Sequence, residues 1–291
     1  MKCDIKKIDG TKRQIDIEVS GDTVKNKFNE VFNRIAKEAK VPGFRPGHAP
    51  REILEKHYAQ EAHEQVIKEM VPDAYNEAIG QEKLDVVDLP AISDVKLDRT
   101  KLSFKATVEV NPEIKLKNYK GLIVNYRKVT VSPEELKKEL DALKEARKID
   151  ALNDSLAKGM GFPDIQELEK AISRQIISHK EDRERQKIEN EIIEQISGDL
   201  DFQLPASLVS RQLEDLVRHA KLDLAMKGLS RQKIEDEEQE LKKNLQEEAR
   251  RQVKVYLVLS EIAKKEGVEI GDHMPRQVME LLLREAEWKV T

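Results

Sequence analysis

Three prolines and two glycines crowd into ten residues, Val41-Pro42-Gly43-Phe44-Arg45-Pro46-Gly47-His48-Ala49-Pro50, and no regular helix or strand passes through such a stretch. The flanks are the opposite. Val24, Phe28, Val31, Phe32, Ile35 and Ala39 recur at helical spacing before it, and Ile53, Leu54 and Tyr58 resume that spacing after it. The chain is therefore expected to run as helix, stiff loop, helix. Phe44 and Arg45 sit at the centre of the loop. A Phe held there can fill a pocket, and an Arg beside it can pair with a carboxylate or a phosphate. An ordinary inter-helix loop with its Phe folded back on the core uses the same residues, and composition alone does not separate the two readings.

Around this loop the period changes twice. Cys3–Ile8 alternates, Asp9-Gly10 signals a hairpin, and Ile15, Ile17 and Val19 alternate again, so two paired strands are expected. Asp22 is a candidate N-cap for the first helix, and Pro50 is placed at the first residue of the second. A third helix is expected from about Glu61, carrying Val66, Ile67, Met70, Ala74, Ala78 and Ile79. Pro72 inside it predicts a kink or a break. Strands return at Leu102, Phe104, Ala106, Val108 and Val110, and again at Leu122, Val124 and Tyr126. Residues 1–112 thus read as an α+β domain, and 113–150 as an extended linker followed by a linker helix.

From Ser132 onward the period is helical, and 151–291 reads as an all-α, elongated domain with helical arms. Ser132-Pro133-Glu134-Glu135 is a cap, a first-turn proline and a capping-box acid. Asp164 with Glu167 opens a helix through Ile196 to Gly198, ~33 residues and about 50 Å if unbroken. Pro205 opens another, with Val209, Leu213, Leu216, Val217, Ala220 and Leu224. A further helix is expected over about 232–265, with Leu241, Leu245, Tyr256, Leu257 and Ile262, stopped by Gly267. The last is expected over 276–289. Apolar stripes of this kind usually make the intramolecular core, and which of their residues stay exposed is not readable from sequence. Met226, Met274 and Met279 are candidates for adaptable surface.

Charged residues make up 37% of the chain and aromatics 4%, which favours long exposed helices over one large core. The net charge of −4 gives no global pull toward nucleic acid. The one cysteine, Cys3, permits no intrachain disulfide and no cysteine-based metal site. Met-Lys-Cys-Asp-Ile at the start has no apolar run behind it, and no stretch reaches the ~18 apolar residues of a membrane span. A cytoplasmic protein without membrane contact is expected. His63-Glu64 lacks a second His at zinc spacing, and there is no glycine-rich phosphate loop, nucleophile elbow or CxxC. The run Glu235-Asp236-Glu237-Glu238 reads as a solvated helix turn. No catalytic residue, cofactor or metal is expected.

Gly43-Phe44-Arg45-Pro46-Gly47-His48-Ala49-Pro50 resembles the G-F-R-x-G-x-x-P signature of the trigger factor family, bacterial chaperones of the ribosomal exit tunnel. The order of hairpin, long helix, loop and returning strands is similar to the family's ribosome-binding domain. Lys158-Gly159-Met160-Gly161-Phe162 and Leu204-Pro205-Ala206-Ser207-Leu208-Val209 resemble openings in its helical domain. The resemblance implies that Gly43, Phe44, Arg45, Pro46, Gly47 and Pro50 bind the large ribosomal subunit, at an exit-tunnel protein and nearby rRNA. It implies nascent or unfolded polypeptides as clients, held without ATP, and it leaves a homodimer open. Pro46 and His48 stand where many relatives carry lysine.

The family's FKBP-type prolyl isomerase domain needs on the order of a hundred residues. The span between Thr130 and Phe162 is far too short for it, so the domain and its activity are expected to be absent. The helical domain also looks shortened after Gly267. Local charge fits docking on RNA phosphates. Residues 1–118 balance 21 Lys+Arg against 21 Asp+Glu, but 25–57 hold eight cations against four acids. The other readings are a helical scaffold and a holdase chaperone that works away from the ribosome.

Overall fold

Ile15, Ile17 and Val19 lie directly across an antiparallel ladder from Ala106, Phe104 and Leu102, and these six side chains are buried. Such apolar cross-strand pairs fix the register, since a slip of one residue would turn them all to the solvent face. The strands concerned belong to a sheet of β1 (Lys2–Lys7), β2 (Lys12–Ser20), β3 (Ala91–Asp98) and β4 (Lys101–Glu109), in the order β1-β2-β4-β3. The computed structural model describes residues 1–42, 44, 48–116, 118–147 and 151–290. In the β1–β2 hairpin, Asp9 Oδ1 accepts hydrogen bonds from the backbone N–H groups of Thr11 (2.8 Å) and Lys12 (2.7 Å). The Thr11 bond leads the causes that hold the Asp9 carboxyl below its ordinary range.

One face of the sheet is covered by α1 (Asp22–Glu38) and α3 (Ala59–Glu82), with α2 (Arg51–His57) packed against both helices. Val24, Phe28, Val31, Phe32 and Ile35 of α1 form the buried stripe that their spacing predicts. The cap of α1 is Gly21, not Asp22. Gly21 sits at φ 92, where a side chain is strained, and Asp22 is the first helical residue, an acid on the positive end of the helix. Likewise Pro50 caps α2 from outside, in extended conformation.

Pro72 does not break α3, which runs through it for 24 residues. Val66, Met70, Val71, Ala74, Tyr75 and Ala78 are buried on both sides of the proline. At about 1.5–3 kcal/mol for each large apolar side chain, that burial outweighs the roughly 3 kcal/mol of an interior proline. Strand β3 was not foreseen. Its alternation is broken by a register shift between Ser93 and Lys96, with Asp94 at φ 52, and it is an exposed edge strand.

The chain continues through β5 (Ile123–Tyr126), α4 (Pro133–Arg147), α5 (Asp154–Gly159), α6 (Ile165–Ser197), α7 (Ala206–Met226), α8 (Arg231–Asp236), α9 (Glu238–Glu266), α10 (Met274–Glu285) and β6 (Glu287–Val290). It separates into two compact units, each built from two stretches: Met1–Ile114 with Asp201–Lys254, and Lys115–Leu200 with Val255–Thr291.

In the first unit, the chain before α7 returns to the sheet. Gly10 N donates to Gln203 Oε1 (3.0 Å), and Arg211 reaches Asp88 (3.4 Å). Lys221 of α7 and Lys242 of α9 both bind Glu238, the latter at 2.7 Å. The helix expected over 232–265 is two helices, α8 and α9, parted at Glu237.

In the second unit, residues 123–135 lie along α6. Gln195 donates to Ile123 O (2.9 Å), Glu184 accepts from Arg127 N (3.3 Å), and Lys180 donates to Thr130 O (2.9 Å). The capping box is literal: Ser132 N donates to Glu135 Oε2 (2.9 Å), and Glu135 N to Ser132 Oγ (3.2 Å). Asp164 caps α6 by accepting from Glu167 N (2.9 Å), and α6 runs unbroken for 33 residues. Gly267, at φ 70, ends α9 as expected. The last helix, expected over 276–289, ends at Glu285, and β6 follows it in parallel with β5. Met274 and Met279 are buried in the core of this unit, leaving Met226 as the exposed member of the three.

Candidate functional site

The loop is held at both ends by its neighbours. Val41 is buried at its entrance, and the Tyr58 hydroxyl donates to Lys40 O at 3.4 Å. Ala49 packs partly buried against the core at its exit. Phe44 N donates to Val41 O (3.1 Å). Phe44 is 39% exposed, so its ring is not folded away into the core. His48 and Pro50 are exposed. Gly43, Arg45, Pro46 and Gly47 lie outside the described residues.

The cations around the loop divide into two sets. Along α1, Lys25 reaches Asp22 (3.5 Å), Lys27 binds Glu69 (2.9 Å) and Glu30 (3.3 Å), and Arg34 also binds Glu69. Those bonds, Lys27 first, hold the Glu69 carboxyl below the ordinary range. Arg51 binds Glu55 (2.9 Å). Lys37, Lys40 and Lys56 are exposed and make no ion pair among the described residues. Lys37 and Lys40 thus flank the entrance of the loop, and Lys56 lies in the last turn of α2. The count of eight cations and four acids in the sequence could not show this, because Glu69 lies outside the counted window and pairs with two of the eight, its single charge offsetting one of them.

The helical parts offer apolar surface. Val209, Leu213, Leu216, Leu241 and Leu245 are half-buried, so these stripes are neither closed core nor open surface. At the far end of α7, Leu222 is 56% and Met226 79% exposed. Leu222 there lines a concavity of about 860 Å³ together with Val217, Ala225, Leu229 and Ile234. In the second unit, Leu143, Met160, Phe162, Ile172 and Ile176 line a groove of about 880 Å³ between α4 and α6. Among the described residues no cluster of His, Cys, Asp and Glu could hold a metal ion, and no helix is long and apolar enough to cross a membrane.

An α+β module with an exposed apolar loop residue and unpaired lysines beside it, continued by helices with half-open apolar stripes, is the build of a binding protein that docks and holds. The family described as bacterial trigger factor protein matches residues 1–143, and its C-terminal counterpart matches 164–289. Trigger factor of Halothermothrix orenii is 24% identical, with 99% of this chain and 91% of the relative covered. That of Natranaerobius thermophilus is 38% identical over 141 residues, 48% of this chain and 32% of the relative. A solved structure described as "Promiscuous Substrate Recognition in Folding and Assembly Activities of the Trigger Factor Chaperone" matches with a TM-score of 0.58 at 12% identity, covering 98% of this chain and all of that one. The chain belongs to the trigger factor family of ribosome-associated chaperones.

The alignment to the Halothermothrix relative spans 395 positions against 291 residues here, so that relative carries about a hundred residues with no counterpart in this chain.

Proposed function

We propose that this protein docks on the large ribosomal subunit through Gly43, Phe44, Arg45, Pro46, Gly47 and Pro50, and holds unfolded segments of emerging chains in the cytoplasm without ATP. The observation that carries the reading is the exposed Phe44 on a loop whose neighbouring free cations are Lys37, Lys40 and Lys56. Phe44 and Arg45 are the anchor pair, residue types expected at interface hot spots. Pro42, Pro46 and Pro50 lower the ordering cost of docking. The lysines draw the loop to rRNA phosphates, which makes binding salt-dependent.

Clients are held by many modest apolar contacts, and the exposed Leu222 and Met226 supply part of that surface. No prolyl isomerase acts in this chain. Support comes from the hundred-residue gap against the Halothermothrix relative, and from the span between Thr130 and Phe162 being given to α4 and α5. Real turnover in a proline-peptide assay, free of contaminating isomerase, would refute this part.

Sedimentation with purified ribosomes tests the docking. Each of Phe44→Ala and Arg45→Ala is expected to remove ~2 kcal/mol, about thirty-fold in affinity. A double variant that pellets like the wild type sinks the site assignment.

A further inference from the structure

Arg51 is the first residue after the loop, and its side chain is turned back onto the domain. One terminal guanidinium nitrogen donates to Asn29 Oδ1 at 2.7 Å, and Nε donates to Glu55 Oε1 at 2.9 Å. The guanidinium carbon stands 5.1 Å from the centroid of the Phe32 ring, which is buried in the core. Glu55 in turn accepts from Arg99, at the β3–β4 turn, at 2.6 Å. Arg51 therefore ties the start of α2 to α1 at two points and, through Glu55, to the end of the sheet. A planar fork that stacks on a ring while donating in two directions is an arginine property. The compact ammonium of lysine reproduces the charge but not that geometry.

We propose that Arg51 is a positioning residue for ribosome docking: it fixes where the 43–50 loop leaves the domain, and it does not itself contact RNA. This rests on the docking reading above. The sequence alone suggests the opposite, one more cation seeking phosphate. In the structure two of the five guanidinium N–H groups and one face of Arg51 are engaged within the domain and its charge is paired with Glu55, although the side chain is 42% exposed, whereas Lys37, Lys40 and Lys56 make no ion pair among the described residues. The entrance of the loop is held by Val41, and the exit is held by Ala49 and by this arginine. A loop clamped at both ends loses less entropy on binding, so releasing one clamp weakens docking without removing a contact.

The test compares Arg51→Lys, Arg51→Ala and Asn29→Leu with the wild type, with Phe44→Ala as the docking control. Ribosome affinity is measured across a salt series, and amide exchange over 48–54 is measured in the free protein. All three variants are expected to bind about five- to tenfold more weakly at every salt concentration, with faster exchange over 48–54. The slope of log affinity against log salt is expected to stay at the wild-type value, and the lysine variant to be no better than the alanine one. Thermal melting identifies any variant that fails to fold, and Asn29, on the exposed face of α1, gives the substitution least able to harm the core. The proposal is overturned if Arg51→Lys binds like the wild type while Arg51→Ala lowers the salt slope by about 0.7–0.9, the signature of one lost phosphate contact. It is also overturned if all three bind normally while Phe44→Ala does not. If Phe44→Ala binds normally as well, the docking reading itself has failed and takes this one with it.

Discussion

Glu109 Oε2 accepts two hydrogen bonds from Ser207, one from its backbone N–H at 2.8 Å and one from its hydroxyl at 2.6 Å. Glu109 ends β4, and Ser207 is the second residue of α7. The first N–H groups of a helix have no partner within it, and Pro205, the cap residue, supplies no side-chain oxygen. A carboxylate almost a hundred residues earlier in the chain fills that role, placed by the sheet. Glu109→Ala is expected to cost about 1–2 kcal/mol in urea unfolding, and Ser207→Ala about half of that because its N–H still donates. The double variant is expected to cost little more than Glu109→Ala alone. Full additivity would mean the two residues do not act as one unit.

Glu238 gives a pH dependence with a definite window. Hydrogen bonds from Lys221 and then Lys242 pull its carboxyl down from 4.5 to about 2. The folded form thus binds fewer protons than the unfolded one between those values, and stability rises with pH there. The contribution is complete above pH 4.5 and is lost as pH falls toward 2. Melting temperatures of the wild type and Glu238→Gln are expected to differ at pH 7 and to converge by about pH 2. A gap that stays constant over this range would mean the pairs with Lys221 and Lys242 do not form in solution.

Where local chemistry decides, most of the structure is legible in the sequence, although the cap of α1 falls on Gly21 one residue before Asp22. The Ser132–Glu135 box, the Asp164 cap, the Asp9-Gly10 hairpin and the α1 stripe all stand as their spacing predicts. Where distant partners decide, it is not. Strand β6 is four exposed residues, too short for its Glu-Trp-Lys-Val alternation to mark a strand, and it pairs with β5, some 160 residues earlier. Met274 and Met279 look like surface in sequence but are buried in the packed second unit. The loop was legible from its residues, but which of its neighbouring cations stay unpaired shows only in the structure, where Glu69 pairs with both Lys27 and Arg34.

Pro72 carries a related prediction. It is exposed, in the middle of a continuous helix, where it removes one backbone donor. Pro72→Ala restores that bond and a better helix former, against a smaller loss from the freer unfolded chain. A stabilisation of about 1–2 kcal/mol is expected in denaturant melts. A destabilised variant would mean that the ring packs or bends the helix in a way α3 requires.

Client holding and ribosome docking are expected to separate by mutation, because their residues lie on different elements. Leu222 and Met226 project from the far end of α7 at 56% and 79% exposure, beside the concavity lined by Val217, Ala225, Leu229 and Ile234. Covering the exposed part of either side chain with a client segment yields on the order of 1–2 kcal/mol before ordering costs. Replacing both by Asp removes that gain and adds the cost of desolvating a charge. Protection of a denatured model client from aggregation is therefore expected to need about tenfold more of the Leu222→Asp, Met226→Asp protein, while ribosome sedimentation stays as in the wild type. Phe44→Ala with Arg45→Ala is expected to do the reverse, losing ribosomes and keeping protection. If the α7 variant protects as well as the wild type, clients are held elsewhere, and the groove lined by Leu143, Phe162 and Ile172 becomes the surface to mutate.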